Sequence, residues 1–152
     1  MKEQHKSEIQ IRTMKAEDIA WAAQLEAELF GDAWTEAALM DTLRYRPETN
    51  FTAEADGVIV GYLLFMAAAD EGELLRVGVS PKARRKGIAS ALMSHMESCA
   101  VSKGIATIWL EVRESNTAAR ALYEKTGFIE QGQRKKYYHD PVENAVIMSK
   151  VL

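Results

Sequence analysis

The sequence predicts a single domain of mixed α/β class, in which a central sheet of about seven strands is flanked by about four helices. Residues 1–152 have the length of one ordinary domain, and 47% of them are hydrophobic, enough for a core. Strands alternate with helices in part of the chain and follow one another as hairpins elsewhere. We therefore expect both parallel and antiparallel neighbours in the sheet.

Periodicity and turn residues define the elements of the first half of the chain. We expect a strand over 8–13, helices over 16–30 and 35–47, and two strands within 51–66. Thr35 is a typical N-cap residue, and Pro47 marks the end of the helix that it opens. Asp56-Gly57 is typical of a type I′ turn, so the last two strands should form a hairpin.

In the second half of the chain, the sequence predicts strands that alternate with helices, followed by two final strands. We expect strands over 73–80, 105–112, 128–138 and 144–152, with helices over 87–103 and from Asn116 to about Gly127. Asn116 is a typical N-cap residue. Gly104 and Gly127 follow the two helices, as glycines at helix C-termini commonly do.

Charge and hydropathy exclude several classes of function. The 19 basic and 22 acidic side chains give a net charge of −3, which does not favour general nucleic-acid binding. The longest uncharged apolar stretch, 58–69, is shorter than the ~20 residues that cross a bilayer. The charged start MKEQHKSE lacks the apolar core of a signal peptide. We therefore expect a cytoplasmic protein that binds neither nucleic acid nor a membrane.

Cysteine and histidine usage predicts no metal site. Cys99 is the single cysteine, which excludes an intramolecular disulfide and a Cys-rich zinc site. Its apolar neighbours indicate a small core residue rather than a nucleophile. His5, His95 and His139 are scattered without the spacing of metal ligands.

A basic loop between a predicted strand and a predicted helix is the first candidate site. It reads Arg84-Arg85-Lys86-Gly87-Ile88-Ala89. The unpaired N–H groups and dipole at the start of a helix favour a phosphate, and Gly87 lets the backbone approach a ligand. The loop is not a P-loop, and no Gly-x-Gly-x-x-Gly follows the first strand. A solvated basic loop is the alternative.

Glu111 and Tyr123 are the second and third candidates. Alternation in the strand 105–112 places Glu111 on one face, near the strand end, where a carboxylate can serve as a general base. A rim glutamate that pairs with an arginine such as Arg113 is the alternative. Asn116 and Tyr123 are seven residues apart and share a helix face. Tyr123 is either a proton donor or a packed core tyrosine.

The segment RKKYY, 134–138, is the fourth candidate. Basic residues beside aromatic ones can bind nucleic acid by phosphate contacts and stacking. On a strand, however, these side chains alternate between faces. We favour the wall of a substrate pocket over a nucleic-acid surface.

These motifs together resemble the GNAT superfamily of acetyl-CoA-dependent N-acetyltransferases over almost the whole chain. RRKGIA fits the pyrophosphate loop [RQ]-x-x-G-x-[GA], within VGVSPKARRKGIASALM at 77–93. LEVRESNTAARALYEKTGF, at 110–128, is similar to the signature of the members that acetylate the N-terminal alanine of a ribosomal protein. Trp34-Thr35 and the RKKYY…NAVIM ending support the resemblance.

The resemblance implies a cofactor, acetyl-CoA, and residues that bind it. The strand backbone at 77–79 would pair with the pantetheine arm, the loop N–H groups would hold the pyrophosphate, and Asn116 would lie near the thioester. The implied set is Val77, Gly78, Val79, Arg84, Arg85, Lys86, Gly87, Ile88, Ala89, Ser90 and Asn116.

The resemblance also implies roles in catalysis. Glu111 matches the general base and Tyr123 the general acid of a direct attack that needs no acyl-enzyme. Trp34, Tyr137 and Tyr138 are expected to contact the substrate, a protein N-terminus of ribosomal origin. A small-molecule amine or a lysine side chain is an alternative acceptor, and a non-catalytic acetyl-CoA-binding module is another alternative. The oligomeric state stays open.

The chain departs from the family pattern at several positions. Ala83 stands where an aromatic residue is common, and Asn144 stands where an aspartate is expected. Arg76 is unusual beside a site that should receive a basic peptide.

Overall fold

The computed structural model describes residues 9–45, 49–84 and 87–152, and its seven strands form one mixed sheet of order β1-β2-β3-β4-β5-β7-β6. The strands are β1 Ile9–Thr13, β2 Asn50–Ala55, β3 Val58–Ala68, β4 Glu71–Val79, β5 Thr107–Arg113, β6 Ile129–Tyr138 and β7 Glu143–Val151. Among these seven described strands, only β4 and β5 pair in parallel. The predicted fold class is confirmed. Four residues named above, His5, Pro47, Arg85 and Lys86, lie outside the described ranges.

Within the described ranges, four α-helices flank the sheet. They are α1 Ile19–Leu29, α2 Glu36–Tyr45, α3 Ile88–Ser102 and α4 Thr117–Lys125, with short 3-10 helices at Ala16–Asp18 and Pro81–Ala83. The helix predicted over 16–30 is thus divided. Asp18 accepts a hydrogen bond from the N–H of Lys15 at 2.7 Å and pairs with Arg12, which stabilises a tight turn before α1 begins.

The predicted turns and caps are confirmed. Asp56 and Gly57 have φ angles of 52° and 76°, as a type I′ turn between β2 and β3 requires. Thr35 Oγ1 accepts a hydrogen bond from the N–H of Ala38 at 3.1 Å and caps α2. Asn116 Oδ1 accepts from Ala119 N–H at 3.2 Å and caps α4.

The two faces of the sheet carry separate apolar clusters. On one face, α3 and α4 pack against the larger cluster, which includes Phe65, Leu92 and Ile108. On the other face, α1 and α2 pack Leu25 and Leu39 against Tyr62 and Leu64 of β3. The molecule is therefore a helix–sheet–helix sandwich. No α-helix in the described ranges is long and apolar enough to cross a membrane.

A bulge in β4 shapes the centre of the sheet. Opposite β3, Leu64 pairs with Arg76 and Phe65 pairs with Leu74, so Leu75 is an extra residue in β4. A bulge bends its strand and increases the local twist. The parallel pairing of β4 with β5 ends one residue earlier, at Leu74 and Leu110, although both strands continue. The two strands therefore separate beyond the bulge.

Gly72→Ala is expected to lower the free energy of unfolding by about 1–3 kcal/mol, the usual cost of overpacking a core. A Cβ at Gly72 would lie 2.6 Å from Cε2 of buried Phe65. Gly132→Ala is the matched control, because nothing lies within 4 Å of its Cβ position. Urea unfolding measures both variants, and equal stabilities would show that Gly72 is not closely packed against Phe65.

Candidate active site

The gap between β4 and β5 forms a cavity of about 410 Å³. Its walls come from β4, β5, α4 and the turn before it, the segment after α1, and Tyr138 of β6. The lining includes Leu75, Arg76, Val77, Glu111, Val112, Arg113, Asn116, Ala119, Tyr123 and Tyr138. The structure thus brings Glu111, Tyr123 and Asn116, three residues singled out from the sequence, to one cavity.

The backbone of β4 has hydrogen-bonding groups directed into this gap. The N–H of Ser80 donates to Val60 O at 2.8 Å, so Ser80 faces β3. Ladder bonds of antiparallel strands alternate along the chain, so Gly78 also faces β3. The N–H and C=O groups of Val77 and Val79 point the opposite way, towards β5. Since β5 pairs with β4 only as far as Leu74, these groups do not pair with β5. Val77 lines this cavity, and Val79 lines a second one at the start of α3.

A second cavity, of about 350 Å³, lies at the start of α3. It is lined by Val79, Ala83, Arg84, Gly87, Ile88, Ala89, Ser90 and Lys125. Gly87 precedes the first turn of α3 with a φ of 74°, a left-handed conformation that glycine adopts without strain. The N-terminus of this 15-residue helix thus opens into a pocket that suits a phosphate. Lys125, at the end of α4, adds a cation that the sequence analysis did not identify.

A third cavity, of about 680 Å³, lies on the other side of the gap. Trp34, Tyr137 and Tyr138, the three residues predicted to contact the substrate, all line it, together with Glu73 and Glu111. Glu111 therefore borders both this cavity and the one between β4 and β5. Two groups, one bound in each of these cavities, would therefore meet at the Glu111 carboxylate.

Glu111 is held by two neighbours from β6. Its Oε1 lies 3.1 Å from Nε of Arg134, and its side chain is 24% exposed. A hydrogen bond from the Tyr137 hydroxyl to Glu111 raises the pKa of Tyr137 above the ordinary tyrosine value. The partner considered from sequence, Arg113, instead pairs with Glu143 at 3.3 Å. Arg113 is the last residue of β5. Its neighbouring strand β7 begins at Glu143, which brings the two side chains within contact distance.

Tyr123 is both a packed and a cavity-lining residue. It is 7% exposed and lies beside Phe128, with ring centroids 6.1 Å apart. Burial, with a smaller effect of Tyr138, raises the pKa of Tyr123 to about 12, although Arg76 opposes the shift. The phenol therefore carries its proton throughout the physiological range. Tyr123 can therefore be both a packed core tyrosine and a proton donor, the two alternatives that the sequence left open.

Tyr138 links the cavity to the β6–β7 hairpin. The guanidinium of Arg113 lies 4.4 Å from the centroid of the Tyr138 ring. Burial, and then the charge of Glu111, raise the pKa of Tyr138 to about 12. This second phenol is also protonated at neutral pH.

A buried charge network fixes the loop between α1 and α2. Glu26, 0% exposed, lies 2.9 Å from Nε of Arg76 and accepts a hydrogen bond from the N–H of Trp34 at 3.1 Å. Arg76 also donates to the carbonyl of Asp32 at 3.2 Å, and the Tyr62 hydroxyl donates to Glu26. Both the loop and Arg76 line the site, so this network sets the position of one cavity wall.

Glu73 of β4 is a further charged residue at the site, and from the sequence it is one of the acidic residues expected to attract a basic substrate. Burial, and then the nearby charge of Glu111, raise its pKa above the ordinary value, with Arg134 opposing. No sequence motif contains Glu73. Its place at the site follows from the parallel pairing of β4 with β5, which sets Glu73 beside Trp109. In the described part of the chain, no group of three or more His, Cys, Asp or Glu residues is arranged to hold a metal ion.

Comparisons with known proteins agree with this geometry. A model of the acetyltransferase (GNAT) family matches residues 15–128. The chain is 33% identical over 141 residues to the ribosomal protein bS18-alanine N-acetyltransferase of Escherichia coli (strain K12), covering 91% of this chain and 95% of that protein. A crystal structure of the Escherichia coli ribosomal-protein-S18-alanine N-acetyltransferase superposes with a TM-score of 0.85 and 32% identity, covering 95% and 94% of the two chains. Ard1 from Thermoplasma volcanium gives a TM-score of 0.90 at 28% identity, covering 95% and 97%.

Arg76→Met is expected to lower the free energy of unfolding by about 3–5 kcal/mol, because it leaves the carboxylate of Glu26 buried without its cation. Arg44→Met is the control, since Arg44 pairs with Asp41 at 3.8 Å on the exposed side of α2. That exposed pair should contribute less than about 1 kcal/mol. Urea unfolding compares the two variants. A similar, small loss in both would contradict the role given to the buried network.

Proposed function

Because the chain belongs to the GNAT acetyltransferase family, we propose that it transfers the acetyl group of acetyl-CoA to the α-amino group of a protein N-terminus. The first candidate acceptor is the N-terminal alanine of ribosomal protein bS18, the substrate named for the Escherichia coli relative. We place the reaction in the cytoplasm. The observation that carries the proposal is the position of Glu111, which borders both the gap between β4 and β5 and the cavity of Trp34, Tyr137 and Tyr138.

GNAT enzymes use acetyl-CoA, and the residues of this chain fit that donor. The pocket at the start of α3 offers helix N–H groups, Arg84 and Lys125 to a pyrophosphate. The backbone groups of Val77 and Val79, which face the gap, suit the amide-bearing pantetheine arm. When bound, the donor supplies an activated acyl thioester. Asn116, at the cap of α4, lines the same gap.

Glu111 is proposed as the general base. An α-amino group has a pKa of about 7.7–8.0, so much of it is protonated at neutral pH and must lose a proton before it can attack. A carboxylate at the border of the two cavities is placed to accept that proton directly or through a water. Arg134 and Tyr137 hold the carboxylate in position from β6.

Tyr123 is proposed as the acid that assists the leaving thiolate. An alkyl thiol has a pKa of about 8.5, well below that of this phenol. Complete proton transfer from Tyr123 to the thiolate is therefore uphill, and the assistance consists mainly of a donated hydrogen bond. The N–H groups that β4 directs into the gap are donors for the oxyanion that develops on the thioester carbonyl.

We propose direct attack, without an acyl-enzyme. Cys99 is the single thiol of the chain and packs beside the core cluster on α3, away from the three cavities. The catalytic gain then comes from orienting two substrates at Glu111, from proton transfer and from oxyanion stabilisation.

The purified protein is expected to acetylate the α-amine of a synthetic peptide that starts with alanine and copies the N-terminus of bS18, with acetyl-CoA as donor. Mass spectrometry with fragmentation locates the acetyl group. Controls are the same peptide with a blocked N-terminus, a peptide with an internal lysine, and spermidine. Turnover of spermidine or of lysine side chains, without α-acetylation, would contradict the proposed acceptor and leave the family and donor unchanged.

Glu111→Gln is expected to lower kcat by about 10²–10⁴-fold, the typical contribution of a general base. Raising the pH should partly restore the rate, since a larger fraction of the amine is then already deprotonated. Glu130→Gln, an exposed position on β6, is the control and should retain the wild-type rate. Steady-state kinetics from pH 6.5 to 9.5 test this assignment. A wild-type rate in Glu111→Gln would exclude Glu111 as the base.

Tyr123→Phe is expected to lower kcat by about 10- to 100-fold, the usual value of one hydrogen bond to a charged atom. The ring is retained, so packing against Phe128 should persist. The thermal midpoint, measured alongside the kinetics, separates lost chemistry from lost stability. An unchanged kcat would show that the hydroxyl does not assist the thiolate.

A further inference from the structure

Among the described residues, no helix covers the part of the sheet beside the cavity lined by Trp34, Tyr137 and Tyr138, which we call the acceptor cavity. On this face α1 and α2 cover Tyr62 and Leu64 of β3. Farther along the same face, Met66 is 45% exposed and Trp109 is 36% exposed. Strand register places Met66 beside Glu73 and Glu73 beside Trp109, so the three side chains form one row across β3, β4 and β5.

This row forms the floor of a groove of about 450 Å³. Ile147 of β7 extends the apolar floor beside Met66 and Trp109. In the part of the chain that the structure describes, the charged residues that line the groove are the carboxylates Glu71, Glu73 and Glu111 and a single cation, Arg134. An apolar floor with an excess of negative charge is complementary to a chain segment that carries both apolar and basic side chains.

The groove continues directly from the acceptor cavity. Glu73 and Glu111 line both. Along β5, Trp109 precedes Glu111 by two residues, a distance of about 6.6–6.8 Å. An extended peptide also advances about 3.3 Å per residue. A peptide whose α-amine lies at Glu111 and that runs along β5 towards its start therefore places its third residue near Trp109.

We propose that this groove binds the substrate segment that follows the acetylated residue, and that a basic side chain at the third or fourth position stacks on Trp109 and pairs with Glu73. The assignment rests on the proposed function. It assigns a preference for a basic residue at the third or fourth position of the substrate. The acceptor cavity alone does not supply this preference, because that cavity receives the first residue.

The chemistry of both side chains suits a guanidinium or an ammonium group. Tryptophan is the aromatic residue that attracts cations most strongly over its ring face. The carboxylate of Glu73 lies in the same row. Burial and the charge of Glu111 already raise the pKa of Glu73, so an incoming cation meets a carboxylate whose negative charge is poorly compensated.

The test compares two peptides that start with the same two residues and differ only in having arginine or glutamine at positions three and four. The measured quantity is the ratio of their kcat/KM values, which does not depend on the overall activity of a variant. The wild type is expected to favour the arginine peptide by about tenfold, as two exposed charge and cation–π contacts would give. Raising the salt concentration should reduce this ratio.

The variants Glu73→Gln and Trp109→Ala are each expected to reduce the ratio to about two- to threefold, mainly through the KM of the arginine peptide. Glu17→Gln is the matched control, because Glu17 is an exposed acid in the 3-10 helix before α1 and does not line the groove. That control should keep the wild-type ratio.

The outcomes separate the two proposals. If neither peptide is acetylated at its α-amine, the proposed function fails and the groove assignment fails with it. If both peptides are acetylated but the wild type does not distinguish them, or if Glu73→Gln and Trp109→Ala keep the wild-type ratio, only the groove assignment is overturned.

Discussion

The separation of β4 from β5 is the constraint on which the rest of the site depends. One extra residue in β4, Leu75, bends the strand where its parallel pairing with β5 ends. Without that bulge the sheet would close, and the backbone groups of Val77 and Val79 would pair with β5. The bend instead leaves these groups facing a cavity and places Glu111, on the other wall, at the border of the gap. One irregularity of the ladder therefore provides both a binding edge and access to the base.

A second constraint holds the opposite wall. The loop after α1 is held in position by contacts from outside the loop. The buried carboxylate of Glu26 connects the backbone of Trp34 to Arg76, which lies just past the bulge on the same face as α1. The presence of Arg76 beside a site for a basic substrate is thereby explained. Its charge is used inside the protein, to neutralise Glu26, and its side chain is only 16% exposed.

Local signals predicted much of this fold, and long-range pairing accounts for what they missed. The turn at Asp56-Gly57 and the face on which Glu111 lies follow from residue type and alternation alone, and both were predicted. The bulge at Leu75 was not predicted, because an uninterrupted strand over 73–80 satisfies the same local pattern. The link between Glu26 and Arg76 joins residues 50 positions apart, and no periodicity reports such a contact. Catalytic and binding roles were suggested by motif resemblance, because no local pattern reports how a side chain acts on a bound substrate.

Amide hydrogen exchange along β4, measured by NMR with and without coenzyme A, tests the central claim most directly. In the free protein the amides of Val77 and Val79 should exchange faster than those of Gly78 and Ser80, which bond to β3. Coenzyme A should slow exchange at Val77 and Val79 selectively. Equal protection of all four amides in the free protein, or no response of Val77 and Val79 to coenzyme A, would contradict an open binding edge between β4 and β5.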